Sequence, residues 1–260
     1  MIITTAGRTN DSMVKIARTT AAVLGASYVE RRKRSIAAIQ ELVKDDCLII
    51  GKDRLELYLY GTAEPFFFHP NSAMFRIKRL MKGGDDPFLD AAGLQKGMSV
   101  LDLTLGLASD SIVASFAVGN EGKITGIEGN SYIAYIVNQG LKEWDSGFTE
   151  INEAMRGIDV VHANATDYLR QIGDNSYDCV YLDPMFEETI LESDGIKSLA
   201  KFALYEPVTK EMIDHARRVA RHRVVLKDHF RSSRFAEFGF KVQRRKTAKF
   251  HFGVMEKEKG

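Results

Sequence analysis

One run of residues near the middle of the chain places a carboxylate, a proline and an aromatic ring directly after an apolar segment. The run reads Tyr177-Asp-Cys-Val-Tyr-Leu-Asp183-Pro184-Met-Phe186. Its apolar part predicts a buried strand, and in open α/β sheets ligands bind beyond the carboxyl ends of the strands. An acid, a rigid carbonyl and a ring that can stack suit a planar base with an exocyclic amine. We therefore predict Asp183, Pro184 and Phe186 as catalytic residues, the alternative being a strand end with a space-filling ring.

A second apolar segment, residues 100–103, runs into a turn of small residues and then a predicted helix. Small residues allow the backbone to pass close to a bound nucleoside, and Asp102, Thr104 and Gly106 are the candidate contacts. Gly106 is the one glycine of this turn, so the G-x-G-x-x-G pattern of a pyrophosphate cradle is absent. The alternative is a tight strand-to-helix turn that binds nothing.

The next predicted strand ends in an acid, Glu128, which lies 22 residues after Gly106. An acid about 20 residues beyond the glycine turn binds ribose hydroxyls in dinucleotide folds. Asn164 and Ala165 follow the third strand, where they could meet an adenine edge, although Asp167 beside them is also typical of the first turn of a helix. A nucleoside held without a phosphate cradle indicates S-adenosylmethionine rather than NAD. The pattern therefore favours a class I methyltransferase.

The segments around these residues alternate between apolar strands and helices from Met98 onward. Strands are predicted at 100–103, 123–127, 159–162, 180–183 and 223–227, and helices from Ser109, from Ser131 and over 207–220. Repeated βα units predict an α/β fold with a Rossmann-like, doubly wound and mostly parallel sheet. The closing residues 247–255 alternate loosely and are predicted as a late edge strand.

The first 62 residues predict a small α/β unit of their own, which precedes the larger sheet. Strands are predicted at 1–5, 47–50 and 55–60, and helices at 13–24 and 35–43. Asn10, Asp11 or Ser12 can cap the first helix, and Gly25 ends it. Residues 63–93 are predicted as a connector on the substrate side, and 94–260 as the cofactor-binding domain.

Composition describes an ordinary globular protein, with 45% hydrophobic and 27% charged residues and a net charge of +1. The sequence has no apolar run long enough to cross a membrane and no secretion signal, so we expect a cytoplasmic protein without a membrane partner. Cys47 and Cys179 lie in apolar segments and are predicted as reduced core residues. The histidines lack ligand spacing, so no metal site is expected, and His162 is expected to be structural.

Positive charge is clustered in four places that could contact the phosphates of a nucleic acid. These are Arg31-Arg32-Lys33-Arg34, the group Arg76, Lys78, Arg79 and Lys82, the group Arg217, Arg218, Arg221 and Arg223, and residues 241–249. Any single cluster can also be a solvated face. We prefer Arg76, Lys78 and Arg79 as substrate contacts because aromatic residues adjoin them. Lys227 could also reach the site from its strand end, or be solvated at the rim of the sheet.

Taken in order, these motifs resemble the bacterial small-subunit ribosomal RNA guanine-N2 methyltransferases of the RsmJ type. The matching pieces are residues 102–110, 162–165, 180–186 and 224–227, within a likeness over roughly 66–255. The resemblance implies a methyl donor, S-adenosylmethionine, and ribosomal RNA or the small ribosomal subunit as partner. It implies cofactor contacts at Ser109, Asp110, Glu128, Gly129, Asn164, Ala165 and Asp183.

The chain also departs from that family pattern. A second glycine expected near Ala108 and a basic residue expected at Ser109 are missing, and Asp-His-Phe follows Lys227 in place of Arg-Pro-Asp-Tyr. Three alternatives stay open: a DNA or small-molecule amino-methyltransferase, a non-catalytic RNA-binding or ribosome-assembly protein, and, last, an NAD oxidoreductase. The absence of a separate target-recognition domain argues against sequence-specific DNA methylation.

Overall fold

The computed structural model describes residues 1–184 and 207–257. Phe186, one of the three predicted catalytic residues, lies outside the described residues, so its stacking role stays a prediction. Within the described part, the chain forms two compact units, one of residues 1–69 and one of residues 70–184 and 207–257.

The first unit is a small α/β structure with a four-stranded sheet in the order β2-β1-β3-β4. Strands β1, β2 and β3 are parallel, and β4 is antiparallel to β3. Its elements are β1 (Ile2–Thr5), α1 (Asp11–Leu24), β2 (Ser27–Tyr28), α2 (Ile36–Val43), β3 (Cys47–Ile50) and β4 (Leu55–Tyr58). All of these except the two-residue β2 coincide with predicted elements.

Local sequence explains where the first helix begins and ends. The side chain of Asn10 accepts a hydrogen bond from the backbone N–H of Met13 at 2.9 Å, which satisfies one of the free donors of the first turn. Gly25 adopts a left-handed conformation with φ 62° and closes the helix, as the sequence predicts.

The second unit is a seven-stranded sheet flanked by helices. Its helices are α3 (Asn71–Leu80), α4 (Pro87–Ala92), α5 (Ser109–Val118), α6 (Ser131–Glu143), α7 (Thr149–Arg156), α8 (Ala165–Gln171), α9 (Lys210–Val219) and α10 (Arg234–Glu237). Its strands are β5 (Ser99–Asp102), β6 (Lys123–Glu128), β7 (Ile158–His162), β8 (Tyr177–Leu182), β9 (Ala220–His229), β10 (Lys241–Gln243) and β11 (Phe250–Glu256).

Helices cover both faces of this sheet because the strands are apolar on both sides. In β8, Val180 and Leu182 pack into a buried cluster that includes Ile213 of α9. Tyr181 lies between them in sequence, points to the other face and contacts the ring of Phe88 in α4, with ring centroids 4.6 Å apart. The prediction of a doubly wound, mostly parallel α/β sheet is confirmed.

The strand order, β10-β11-β9-β8-β5-β6-β7, reverses direction between β5 and β8. All strands except β11 run parallel to β5, and β11 is antiparallel to both of its neighbours. At such a reversal the connections leave in opposite directions, which opens a crevice beyond the carboxyl ends of the two central strands. The predicted site residues Asp102 and Asp183 come from these two strand ends.

Three details of the second unit correct the sequence-based predictions. The stretch predicted as a connector contains two helices, α3 and α4. The helix predicted over 207–220 begins at Lys210, because the hydroxyl of Thr209 caps it by accepting from the N–H of Met212. The last strand is β11, which lies between β9 and β10 and is not an edge strand, since three residues of β10 form that edge.

Cys47 and Cys179 are buried and free, which confirms them as core residues without a disulfide. Within residues 1–184 and 207–257, no helix combines the length and the apolar character needed to cross a membrane.

Candidate active site at the reversal of the strand order

The backbone of Asp183 is tied to the loop that leaves the neighbouring strand β5. Its N–H donates to the hydroxyl oxygen of Thr104 at 2.7 Å. Thr104 in turn donates from its own N–H and hydroxyl to one carboxylate oxygen of Asp102, at 2.9 and 3.3 Å. The other oxygen of Asp102 accepts from the hydroxyl of Ser111 at 2.6 Å. These bonds fix the two strand ends relative to each other and occupy the Asp102 carboxylate with protein donors.

The carboxylate of Asp183 is held by Lys227, which comes from β9 on the other side of β8. The Lys227 ammonium lies 2.5 Å from Oδ2 of Asp183 and 3.1 Å from Oδ2 of Asp110, so it bridges the two acids. The side chain of Asp183 remains 26% exposed, whereas that of Asp110 is only 10% exposed. Asp183 is therefore the member of this group that a ligand can reach.

A second cation, Arg76 of α3, completes the arrangement around Asp110. Its guanidinium donates to Asp110 at 2.5 Å and to both oxygens of Asp86 at 2.8 Å. The hydroxyl of Tyr181 donates to Asp110 at 2.8 Å. An alternating row of charges, Asp86, Arg76, Asp110, Lys227 and Asp183, thus runs beneath the crevice.

Burial and neighbouring charge divide the acids of this row into two kinds. Burial opposes ionisation of Asp110, but Lys227 and Arg76 outweigh it and hold the pKa of Asp110 well below its usual range. Burial raises the pKa of Asp183 to about 6, with Lys227 opposing the rise. Burial by itself would lower the pKa of Lys227, but the carboxylates of Asp110 and Asp183 outweigh it and raise this pKa above the usual value. Asp110 is thus a fixed anion, whereas Asp183 can change protonation near neutral pH.

Glu128, at the end of β6, joins the two turns next to the crevice. One carboxylate oxygen accepts from the N–H of Gly106 at 3.2 Å, and the other accepts from the N–H of Asn130 at 2.9 Å. Burial raises the pKa of Glu128, while these backbone donors lower it. The side chain of Asn130 caps α6 by accepting from the N–H of Tyr132 at 2.9 Å. Glu128 therefore organises the turn after β5 and the start of α6 together.

The backbone of the turn after β5 shows how the chain does without the glycine expected near Ala108. Ala108 is fully buried and has φ 60°, in the left-handed region that glycine favours. An L residue in this region costs about 1–2 kcal/mol relative to the right-handed conformation. Alanine carries the smallest side chain that can occupy it, so the turn keeps its course without a second glycine. Ser109 then begins α5, and its side chain is half-buried at the helix start.

At the end of β7, the predicted adenine-edge residues lie at the same edge of the sheet. The side chain of Asn164 is exposed and caps α8 by accepting from the N–H of Asp167 at 2.9 Å. Ala165 is buried at the helix start. His162 donates from Nε2 to the carbonyl of Gly129 at 3.1 Å, which links β7 to the turn after Glu128.

The predicted phosphate contacts of α3 have different surroundings. Arg76 is 17% exposed and already faces two carboxylates, which does not favour a phosphate role. The ammonium of Lys78 lies 4.2 Å from the ring centroid of Phe148, and Arg79, 44% exposed, is 3.4 Å from Asp86. Lys78 and Arg79 stay predictions as substrate contacts.

Three members of the basic group at 217–223 bond to other parts of the fold, Arg223 by donating to the carbonyl of Ala91 at 3.0 Å. Arg218 donates to the carbonyls of Leu169 and Ile172, and Arg221 donates to the carbonyl of Asn175. Each also pairs with an acid, Arg218 with Asp174 and Arg221 with Asp178. These bonds are typical of structural arginines rather than of a free phosphate-binding face.

Sequence reasoning missed Asp86, Ser111 and Tyr181 as part of the site. Asp86 precedes Pro87 and caps α4, a local signal that a capping argument could have found. Ser111 and Tyr181 carry no local signal, because their partners lie 9 and 71 residues away in sequence. Among residues 1–184 and 207–257, no group of three or more His, Cys, Asp or Glu side chains is arranged to hold a metal ion.

Comparison with known proteins identifies relatives over most of the chain. The family described as "Putative SAM-dependent methyltransferase" matches residues 33–252, SAM being S-adenosylmethionine. The uncharacterized protein YpiP of Bacillus subtilis is 45% identical, over 98% of this chain and 99% of that protein. Ribosomal RNA small subunit methyltransferase J of Marinobacter nauticus is 28% identical, over 82% of this chain and 77% of that protein.

A solved structure shares the fold at low sequence identity. The SAM-dependent methyltransferase NGO1261 from Neisseria gonorrhoeae superposes with a TM-score of 0.64 and 18% identity, covering 98% of this chain and 96% of that one. At this identity the likeness concerns the fold alone.

Proposed function

The chain belongs to the family of S-adenosylmethionine-dependent methyltransferases, and from that premise we propose that it methylates an exocyclic amino group of a nucleobase. The proposed target is guanine N2 in small-subunit ribosomal RNA. The observation that carries the proposal is the position of Asp183 and Pro184 at the end of β8, where the strand order reverses. The distant relative named as a ribosomal RNA small subunit methyltransferase supports the choice of RNA.

The charge of the crevice fits a cationic methyl donor. Of the five side chains in the row beneath it, three are acids and two are bases. A sulfonium is stabilised by such an excess of carboxyl groups. Glu128 is the candidate for the ribose hydroxyls, since it lies where dinucleotide folds place their ribose acid. When bound, S-adenosylmethionine supplies a methyl group that is already activated on sulfur.

The chain's own task is to prepare the attacking amine. The lone pair of a guanine amino group is delocalised into the ring and is a poor nucleophile. We assign Oδ1 of Asp183 and the carbonyl of Pro184 as acceptors for the two amine hydrogens, since Lys227 already occupies Oδ2. Two acceptors localise the lone pair and stabilise the positive charge that develops on nitrogen. Asp183 would then take the proton that the amine releases once it is methylated.

The dependence of turnover on pH follows from the state of Asp183. Its pKa is raised to about 6, so above that pH the carboxylate accepts from the amine, and below it the protonated group cannot. We expect kcat to fall about tenfold per pH unit below pH 6 and to be flat above it. The charged groups that act on Asp183 are Lys227, Asp110 and Asp228, and the first two remain ionised through this range.

Single-turnover rates measured from pH 5 to pH 8 test this expectation, with Asp183→Asn as the control. The amide does not titrate, so its residual rate should show no inflection near pH 6. An inflection that persists in Asp183→Asn would assign the ionisation to another group, such as Asp102, whose pKa burial raises to about 7.

Removal of the Glu128 carboxylate should weaken cofactor binding. Glu128→Ala releases the N–H groups of Gly106 and Asn130 and removes the proposed ribose acceptor. Hydrogen bonds to charged groups contribute about 1.5–3 kcal/mol, so we expect the Kd of S-adenosylhomocysteine to rise roughly 10- to 100-fold. Isothermal titration calorimetry measures it, with the exposed acid Glu121 replaced by alanine as a matched control. An unchanged Kd for Glu128→Ala would contradict the ribose assignment.

Transfer of labelled methyl from S-adenosylmethionine tests the substrate class. Small ribosomal subunits, naked ribosomal RNA and duplex DNA are compared at equal protein concentration. We expect label in one of the RNA substrates and none in DNA. Label in DNA alone would favour the DNA methyltransferase alternative. Absence of label from every substrate, with S-adenosylhomocysteine still bound, would move the target elsewhere, for example to a small molecule. Failure to bind S-adenosylhomocysteine would favour the non-catalytic alternative.

A further inference from the structure

The first unit concentrates positive charge at one edge of its sheet. Because β1, β2 and β3 are parallel, the segments that follow them, residues 6–10, 29–35 and 51–54, all leave from their carboxyl ends. These segments contain seven arginine and lysine residues and two acids, a net charge of +5, whereas the whole chain carries +1. At the opposite edge, Asp45 and Asp46 precede β3. The net positive charge of these segments therefore lies at the edge from which they leave.

The centre of the basic edge is a tight turn with unusual backbone. The N–H of Arg34 donates to the carbonyl of Arg31 at 3.0 Å, and the two residues between them, Arg32 and Lys33, have φ 47° and 61°. Two consecutive positive φ angles are characteristic of turns that favour Asn-Gly, because a Cβ is unfavourable there. Two long basic side chains at these positions oppose the local preference. Such an outlier points to a function for the side chains displayed.

The turn is fastened to the sheet by a third basic residue. The guanidinium of Arg31 donates to the carbonyl of Arg34 at 2.8 Å and to the carbonyl of Thr5, at the end of β1, at 2.9 Å. Arg31 thereby holds the base of the turn, and Arg32 and Lys33 project from its tip. Arg32 is exposed over 68% of its side chain and faces one acid, Glu30, at 3.2 Å. An exposed pair of this kind contributes little and leaves Arg32 open to a stronger anion.

We propose that this turn, Arg31–Arg34, is a phosphate-binding element by which the first unit holds the RNA backbone. The inference rests on the proposed function in taking RNA as the substrate, and it assigns the first unit a binding role that the catalytic residues do not supply. Arg8 and Lys52 are exposed in the two other segments that leave the same end of the sheet. Arg54 contributes less, because it pairs with Glu56 and stacks on Phe67, 3.9 Å from the ring centroid.

The conformation of the turn allows a test in which stability and binding change in opposite directions. The double variant Arg32→Asn, Lys33→Gly installs the pair that the turn prefers and removes both charges. We expect it to melt no lower than the wild type, with a rise of about 2–4 °C. Its Kd for a fluorescein-labelled single-stranded RNA should rise roughly tenfold or more at about 0.1 M salt. The slope of log Kd against log salt should fall by about 1.4, since each lost contact removes about 0.7.

Lys44 provides a matched control in the same unit. It too is a lysine with positive φ, 52°, and it caps α2 near the opposite edge, paired with Glu41. Lys44→Gly should therefore raise the melting temperature in the same way while leaving RNA affinity and its salt slope unchanged. An equal loss of RNA affinity in Lys44→Gly would show that net charge alone is responsible and would overturn the assignment of the turn.

Two further measurements separate this inference from its rivals. In one experiment, poly-glutamate replaces RNA as the probe. If poly-glutamate binds the wild type as tightly as RNA does, and the double variant loses that affinity to the same extent, the turn binds an acidic protein instead. In the other experiment, kcat at saturating RNA should be unchanged in the double variant. If the double variant binds RNA as tightly as the wild type, the inference is overturned, even if the wild type transfers methyl groups to RNA. Loss of binding without any methyl transfer by the wild type would contradict the proposed function alone.

Discussion

Replacing Asp183 with alanine is expected to slow methyl transfer by a factor of at least about 100. The substitution removes the acceptor that localises the amine lone pair and leaves the Pro184 carbonyl as the only proposed acceptor. Because the barrier rises mainly in the transition state, kcat should fall much more than the affinity for RNA. Single-turnover transfer of labelled methyl, with enzyme in excess over RNA, measures the chemical step.

Asp183→Ala needs a control for loss of charge and for loss of structure. Asp159 is an exposed acid on β7 of the same sheet, so Asp159→Ala removes one negative charge and should retain full activity. Asp183→Asn keeps one oxygen acceptor and should retain more activity than the alanine variant. Turnover of Asp183→Ala within tenfold of the wild type, with an unchanged melting temperature, would refute the assignment.

Replacing Asp110 with alanine is expected to cause the largest loss of stability, about 3–5 kcal/mol. Asp110 accepts from Arg76, Lys227 and Tyr181 in a site where its own side chain is 10% exposed. Its removal leaves both cations with one carboxylate each and leaves the Tyr181 hydroxyl buried without this acceptor. Urea unfolding monitored by circular dichroism measures the change.

Tyr181→Phe is the matched control, because it removes one hydrogen bond to Asp110 and no charge. It should cost only about 1 kcal/mol. A second measurement distinguishes the electrostatic role of Asp110 from a packing role. The negative charge of Asp110 raises the pKa of Asp183. In Asp110→Ala, the decrease of the methyl-transfer rate at low pH should therefore begin below pH 6. An Asp110→Ala variant as stable as Tyr181→Phe would show that the charge row does not support the fold.

The order of strands and helices could be predicted because it depends on local patterns. Apolar runs that end within one residue of Asp102, Glu128 and Asp183 predict the carboxyl ends of strands, and the βα alternation indicates a parallel sheet. The sequence does not predict α3, α4, α7 or α10. It indicates a connector where α3 and α4 lie, because Gly83 and Gly84 break the helical pattern there. The three-residue β10 was too short to give a periodic signal, which is why β11 was mistaken for the edge.

The partners of the charged residues could not be predicted from sequence. Arg76 belongs to a basic run in the sequence, and that run suggested a phosphate contact. Its two carboxylate partners lie 10 and 34 residues away, at distances that only the folded chain defines. The bridging position of Lys227 depends in the same way on β9 lying beside β8. The left-handed conformation of Ala108 likewise depends on the path of the whole turn. The sequence shows that a glycine is missing there, but not how alanine replaces it.

Identification of the methylated nucleoside tests the proposed amino-methyl transfer most directly. Small-subunit RNA labelled by the wild-type protein is digested to nucleosides and separated by chromatography with mass detection. We predict label in N2-methylguanosine, and its loss with Asp183→Ala. Label on a ring carbon or a ribose oxygen would contradict the proposed function, because neither position offers the amine that Asp183 and Pro184 are proposed to hold.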